Sequence, residues 1–280
     1  MVTINPKHTN LVDLQALLQS AVAPRPIAFA STIDADGHVN LSPFSFFNIF
    51  GTNPPTLIFS PNRRVRDGSN KHTYENVTET REVVIHMVDF DLAEQMSLSS
   101  CEYPKGVNEF EKAGLTPIPS MQVKPPRIKE AKVAFECEVK QIIEMGSEGG
   151  AANLIICEVI LMHVSESILD KDGKINPLNT DWIARSGGSM YVRANVDSMF
   201  EIPKPNVQLG VGVDQIPENL KIHFSGNELG RLANIQKIPD ETTQKEFQAK
   251  QAQNTDFIQL TKKHLAKGQI TEAWCSLLAI

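Results

Sequence analysis

Residues 24–60 read PRPIAFASTIDADGHVNLSPFSFFNIFGTNPPTLIFS, and the alternation of apolar runs with turn residues in this stretch decides the fold. Residues 27–33 form an apolar run rich in β-formers, Asp34-Ala35-Asp36-Gly37 supplies turn chemistry, and Val39 and Leu41 resume the alternation, which predicts a β-hairpin. Residues 56–60 predict a further short strand. Between them lies Ser42-Pro43-Phe44-Ser45-Phe46-Phe47-Asn48, too aromatic for an exposed linker and too polar for pure core. That mixture suits a wall against which a flat ring stacks while hydroxyl and backbone groups hold its edges. Upstream, Leu11, Leu14, Leu17, Leu18 and Val22 recur at helical spacing until Pro24 and Pro26 end the pattern, so residues 10–22 are expected to form an amphipathic helix whose stripe packs on the protein. Downstream, residues 131–145 and 153–164 predict a long antiparallel hairpin joined by Gly146-Ser147-Glu148-Gly149-Gly150. The run Leu154-Ile155-Ile156 is expected to be covered on both sides, as barrel closure or a subunit interface requires.

The chain has 280 residues, 41% of them hydrophobic and 21% charged, with a formal net charge of -6, so it can bury a core in one large or two smaller domains. An acidic balance argues against nucleic acid or an anionic membrane as partner, since both need a basic face. No apolar run reaches the roughly 18 residues that span a bilayer, and the N-terminal pattern contains Asp13 and two glutamines rather than a signal-peptide core. A soluble cytoplasmic protein is expected. Cys101, Cys137, Cys157 and Cys275 form no CxxC pair and the histidines form no helical pair, so buried free thiols and no metal are expected. No GxSxG elbow or Walker loop is present, and no catalytic residue is assigned.

Within this acidic chain, residues 61–73 (PNRRVRDGSNKHT) are strongly basic. A charge run is usually a solvated loop, but this one ends at a helix start where Lys71 and Thr73 would present an ammonium, a hydroxyl and free backbone N–H groups together, an arrangement that suits a phosphate monoester. Arg25, pinned between two prolines, offers a guanidinium near the start of the first strand, for an anion or a ring edge or simply as a surface charge. Residues 81–88 predict a buried strand in which His86 finds a hydrogen-bond partner. Residues 89–100 predict a helix, and residues 101–126 are mostly loop with a short helix near Glu109, Phe110 and Lys112. The composition changes at Phe200. Pro203, Pro205 and Gly210-Val211-Gly212 precede a polar helical stretch over 240–267 with a Thr243 to Glu246 capping box, a stop at Gly268 and a last helix over 270–280. Gly210 and Gly212 lack the third glycine and the βαβ context of a dinucleotide fingerprint.

Four blocks in order, PRPIAFAST, DGHVNLSPFSFFN, NPPTLIFS and KHTYEN, resemble the flavin reductase-like family of FMN-binding split barrels. Glu136-Cys137, the run from Cys157-Glu158-Val159 to His163, and Arg185-Ser186-Gly187-Gly188-Ser189-Met190-Tyr191 agree with it, so the similarity covers roughly residues 10–193. The resemblance implies a mainly β, antiparallel, Greek-key split β-barrel with peripheral helices over residues 1–195, followed by a mostly helical extension over 196–280 of no assigned role. It implies bound FMN, NADH or NADPH as the electron donor, and a homodimer with the site near its interface. Its cofactor contacts fall on Arg25, Ser31, Thr32, Ser45, Phe46, Ser60, Lys71, Thr73 and Asn76, with Arg185 and Tyr191 lining the substrate or partner-subunit side. The segment over 101–126 would form a flap over the ligand, and His72 stands where the family carries an acid. A flavin enzyme needs no conspicuous acid or base, because the cofactor carries the electron chemistry. Alternative readings are a non-catalytic flavin carrier or sensor, a pyridoxamine phosphate oxidase-like enzyme, and a vestigial barrel whose tail recruits a partner.

Overall fold

The computed structural model describes residues 1–202, 210–252 and 255–280; Pro203 and Pro205 lie outside these, as do residues 253–254 of the stretch expected to be helical. The described chain divides into two compact units, Met1–Met199 and Phe200–Ile280. No helix among the described residues is long and apolar enough to cross a membrane.

The first unit opens with helix α1 (Leu11–Ala21), capped by the Asn10 side chain on the Asp13 N–H. Then come strands β1 (Ala28–Ile33), β2 (Val39–Phe44), β3 (Phe47–Thr52) and β4 (Pro55–Phe59), helix α2 (His72–Thr80) and strand β5 (Glu82–His86). Short helices α3 (Ala93–Leu98) and α4 (Glu109–Ala113) and short strands β6 (Pro117–Ile118) and β7 (Arg127–Ile128) lead to the long pair β8 (Val133–Glu144) and β9 (Asn153–Val164), and β10 (Trp182–Arg185) and β11 (Tyr191–Ala194) close the unit. Seven strands form one antiparallel sheet in the order β2-β1-β5-β8-β9-β4-β3. The hairpin read from residues 27–41 is the β1–β2 pair, with Ile33 opposite Val39. The long hairpin is β8–β9, bulged near Glu136 and Val139.

Strand alternation sorts β1 onto two cores. Ala28 and Ala30 join Phe44, Phe59, Val77, Ile85 and Cys157 on one face, whereas Ile27 and Phe29 join Leu41, Met96 and Phe110 on the other. Phe29 is fully buried, so its truncation to alanine costs about 3–5 kcal/mol. His86, also fully buried, gives Nδ1 to the Phe29 carbonyl at 2.9 Å and takes the Ile128 N–H on Nε2 at 2.9 Å, which fixes a neutral ring and ties β7 to the sheet. Burial lowers its pKa to about 4.

Two expectations change here. The apolar stripe of α1 is only partly covered among the described residues: Leu14 is half-buried, no residue of α1 is fully buried, and Leu11, Leu17, Leu18 and Val22 are exposed. Cys101 is exposed, in contrast to the buried Cys137, Cys157 and Cys275. The description "mainly β" applies to the first unit alone.

The second unit packs helices α5 (Glu218–Lys221), α6 (Gly226–Ala233), α7 (Glu241–Gln248), α8 (Phe257–Ala266) and α9 (Ile270–Leu277) around Trp274, whose indole N–H donates to the Leu232 carbonyl at 2.7 Å. The helix expected over 240–267 is two helices. Its cap is Asp240, accepting the Thr243 N–H at 2.9 Å, rather than a Thr243 to Glu246 box. A reciprocal capping box occurs instead at Ser225 and Glu228. Gly268 follows α8 at φ +71°, where a side chain would be strained.

Candidate functional site

The first unit contains a cavity of about 410 Å³ whose walls come from five places in the sequence. The aromatic wall is the end of β2 and the turn into β3, with Phe44, Ser45 and Phe46, and Ile27 beside it. The basic wall is the loop from Ser60 through Asn62, Arg63, Arg64 and Arg66 to Lys71. Arg185 and Tyr191, facing each other across the β10–β11 turn, form a third side, with the guanidinium carbon 4.7 Å from the ring centroid. Gln15 and Gln19 of α1 and the segment from Met96 to Glu102 complete the lining.

The basic loop keeps its shape because the turn of the long hairpin lies against it. The Arg63 N–H donates to the Ala151 carbonyl at 2.9 Å, and the Gly150 N–H returns to the Arg63 carbonyl at 3.1 Å. A side chain at Gly149 would run into the Val65 carbonyl, so the glycines of this turn permit the approach. Ser60 fastens the start of the loop, donating to Asn62 Oδ1 at 2.6 Å and accepting the Asn153 N–H at 3.0 Å. Arg63 is spent on the Gly68 carbonyl at 3.1 Å and Glu144 at 2.9 Å. Arg64 Nη1 donates to Ser69 Oγ at 3.1 Å and to the Asn70 carbonyl.

Lys71 is different. It is the N-cap residue of α2 and makes no side-chain capping bond. Its ammonium lies 5.4 Å from the Phe44 ring centroid and has no hydrogen-bond or ion-pair partner among the described residues. Burial and the nearby Arg64 charge lower its pKa, against the opposing influence of Glu102. An unpaired, half-buried cation beside the first N–H groups of a helix is a seat for an anion.

Arg25 stands behind the aromatic wall and does not line the cavity. It is 6% exposed. Its guanidinium donates to the Gln19 carbonyl, to Val22 O at 2.6 Å and to Ser186 O at 3.2 Å, and sits 5.9 Å from the Phe46 centroid. One fork therefore ties the C-terminus of α1, the β10–β11 turn and the aromatic wall together. Burial, with Arg185 nearby, lowers its pKa, but a guanidinium stays charged. Gly187 belongs to the same clamp, since a Cβ there would clash with Ser20 of α1.

Of the residues singled out from the sequence, the cavity brings together Ser45, Phe46, Ser60, Lys71, Arg185 and Tyr191. It does not bring Ser31, Thr32, Thr73 or Asn76 to its surface. Ser31 and Thr32 are adjacent on β1 and point to opposite faces of the sheet, so one cavity cannot take both. Thr32 Oγ1 accepts from Asn76 Nδ2 at 3.1 Å and Thr73 Oγ1 accepts from Asn40 Nδ2 at 2.9 Å, a buried network that docks α2 onto β1 and β2. The Ser31 hydroxyl is buried with no hydrogen-bond partner among the described residues. Sequence reading missed Gln15, Gln19, Met96 and Glu102. Their places on α1, in α3 and just after it become cavity walls only through tertiary packing.

Asp34, Asp36 and His38 bring three possible metal-ligand atoms within 4.8 Å. Asp34 already accepts the His38 N–H at 2.8 Å and the Asp36 N–H at 3.1 Å. That is turn chemistry of the β1–β2 hairpin.

A family model described as the flavin reductase like domain matches residues 20–179. The chain is 43% identical over 188 residues to an uncharacterized protein of Aquifex aeolicus, covering 67% of this chain and 93% of that one. Among solved structures it is similar to nitrilotriacetate monooxygenase component B from Bacillus cereus, with 32% identity and a TM-score of 0.67 over 72% of this chain and 98% of that chain. It is also similar to 2-nitrobenzoate 2-nitroreductase from Pseudomonas fluorescens, with 25% identity and a TM-score of 0.66 over 75% of this chain and 100% of that chain.

Proposed function

The chain belongs to the flavin reductase-like family, and from that premise we propose that it is an FMN-binding oxidoreductase that takes electrons from NADH or NADPH and passes them to an acceptor. The observation that carries this reading is Lys71, an ammonium with no direct hydrogen-bond or ion-pair partner among the described residues, at the N-terminus of α2 and on the same cavity as an aromatic wall. The cavity fits the cofactor by chemistry on three counts. Phe44 and Phe46 offer ring faces, Ser45 offers a hydroxyl beside them, and the basic loop ends in an unpaired cation suited to a phosphate monoester.

When bound, the flavin would supply the two-electron chemistry. The chain's own residues bind and orient. Phe46 and Phe44 present the stacking wall, Ser45 holds a ring edge, and Ser60 fixes Asn62 and the basic loop. Lys71 holds the phosphate. Arg25, Thr32, Thr73 and Asn76 act through packing, by keeping α1, β1 and α2 in register behind the site. Arg185 and Tyr191 line the open side, where the nicotinamide or a partner subunit approaches. No proton-transferring side chain is required of the protein.

On this reading the seven-stranded sheet is the split barrel of the family, residues 1–195 form the flavin domain, and residues 196–280 form an appended helical domain. A cytoplasmic homodimer is proposed, supported by the exposed apolar stripe of α1 and by Ile49 and Phe50, 60% and 65% exposed on the edge strand β3. The test is direct. Reduced nicotinamide should bleach protein-bound FMN with saturable kinetics. Binding without reduction by either nicotinamide would leave a flavin carrier instead.

A further inference from the structure

We infer that Glu102 is an internal anion that competes with a ligand phosphate for the Arg64, Arg66 and Lys71 corner of the cavity, and so sets how strongly the site distinguishes a flavin phosphate from the bare flavin. The inference rests on the flavin reading above. Glu102 is the one carboxylate among the described lining residues, against the five cations Arg63, Arg64, Arg66, Lys71 and Arg185. Its Oε1 lies 3.4 Å from Arg64 Nε, and its Oε2 lies 3.1 Å from Arg66 Nη2. Arg64 Nη1 is already committed to Ser69 and Asn70, so the edge of that guanidinium held by Glu102 is the edge left for an incoming anion. Lys71, alongside, makes no direct hydrogen bond or ion pair among the described residues.

The contact is built to be exchanged. The Glu102 side chain is 57% exposed and the Arg66 side chain 70% exposed, and ion pairs open to water to that degree are weak. Glu102 stands on the chain between α3 and α4, where Cys101, Glu102, Pro104, Lys105 and Gly106 are all exposed. A phosphate monoester brings close to two negative charges and three acceptor oxygens to the same cations, where the carboxylate brings one charge. A flavin without its phosphate has nothing to offer this corner and leaves Glu102 in place. Glu102 therefore opposes FMN specifically, and removing its charge should favour FMN alone.

The experiment is a pair of flavin-fluorescence titrations, with FMN and with riboflavin, on the full-length chain and its Glu102→Gln variant. The variant should bind FMN about fivefold more tightly, the scale of one partly exposed charge pair, and riboflavin within about twofold of the unaltered protein. The FMN gain should shrink as salt rises from about 50 to about 500 mM, because screening weakens the repulsion that the substitution removes. Unchanged or weaker FMN binding would overturn the inference and make Glu102 an organiser of the arginines. Equal tightening of both flavins would also overturn it, as a change of cavity shape. Failure of FMN to bind the unaltered protein would overturn the flavin reading, and this inference with it.

Discussion

Arg25 and Arg185 exchange backbone hydrogen bonds, Arg25 N–H to Arg185 O at 2.9 Å and Arg185 N–H to Arg25 O at 2.8 Å, so the start of β1 and the end of β10 are one structural point. The two side chains then diverge. Arg25 turns inward to clamp α1 and the turn at Ser186, and Arg185 turns to Tyr191 on the cavity's open side. Replacing Arg25 with lysine keeps the charge and loses the fork. The variant should be about 2–4 kcal/mol less stable, as expected when carbonyls in a buried charged network lose their donor. Urea unfolding of Arg25→Lys checks this, and a midpoint unchanged from the unaltered protein would assign Arg25 no clamping role.

Lys71→Met removes the unpaired ammonium and retains much of its apolar stem. FMN affinity should fall about tenfold or more while riboflavin affinity holds within about twofold, since only FMN carries a group for the cation to meet. Parallel fluorescence titrations with the two flavins measure the split. Equal losses would place Lys71 at the ring rather than at the phosphate.

Phe46→Ala should behave in the opposite pattern. Loss of a stacking face costs about 1 kcal/mol, so FMN and riboflavin should weaken by the same factor of about five. The same titrations would contradict the stacking wall if riboflavin binding were unaffected.

His86 makes stability depend on pH. Its folded pKa is lowered to about 4 by burial, whereas an unfolded histidine titrates near 6.5. Between those values the unfolded chain binds the extra proton, so its contribution is fully present above about pH 6.5 and is lost as pH falls. At pH 5 the loss amounts to ~2 kcal/mol. Chemical denaturation at pH 7 and pH 5 should show a drop in the unaltered protein, and the drop should be smaller by that amount in His86→Gln.

Leu17→Asp and Leu18→Asp place charges on the exposed stripe of α1. If that stripe covers a second copy of the chain, each variant should run as a monomer by light scattering where the unaltered protein runs as a dimer, with little change in the sheet's own stability. A monomeric unaltered protein would contradict the proposed assembly.

The frame of the first unit was legible because its signals are local. The turn at residues 34–37, the alternation of β1 and β2 and the glycine-rich turn between β8 and β9 each declare themselves within a few residues. The lysine at the start of α2 was legible for the same reason. Depth was not. Nothing local tells that Thr32 and Thr73 are spent on Asn76 and Asn40, or that Arg25 is spent on carbonyls from α1 and the turn at Ser186, because each partner arrives through tertiary packing. The stripe of α1 was visible, but periodicity marks an apolar face without saying what covers it. Glu102 was hidden in a loop and gained its place only when residues 60–71 folded against it.

If the cavity between Phe46 and Lys71 holds FMN for reduction by a nicotinamide, one absorption titration shows both binding and reduction. The purified full-length chain is titrated with FMN, then mixed anaerobically with NADH or NADPH in the same cuvette. Saturable binding followed by bleaching of the oxidised flavin band, faster than for free FMN and weakened together with binding in Lys71→Met at limiting FMN, is the predicted result. The absence of any saturable change on adding FMN would rule out a flavin site in this cavity.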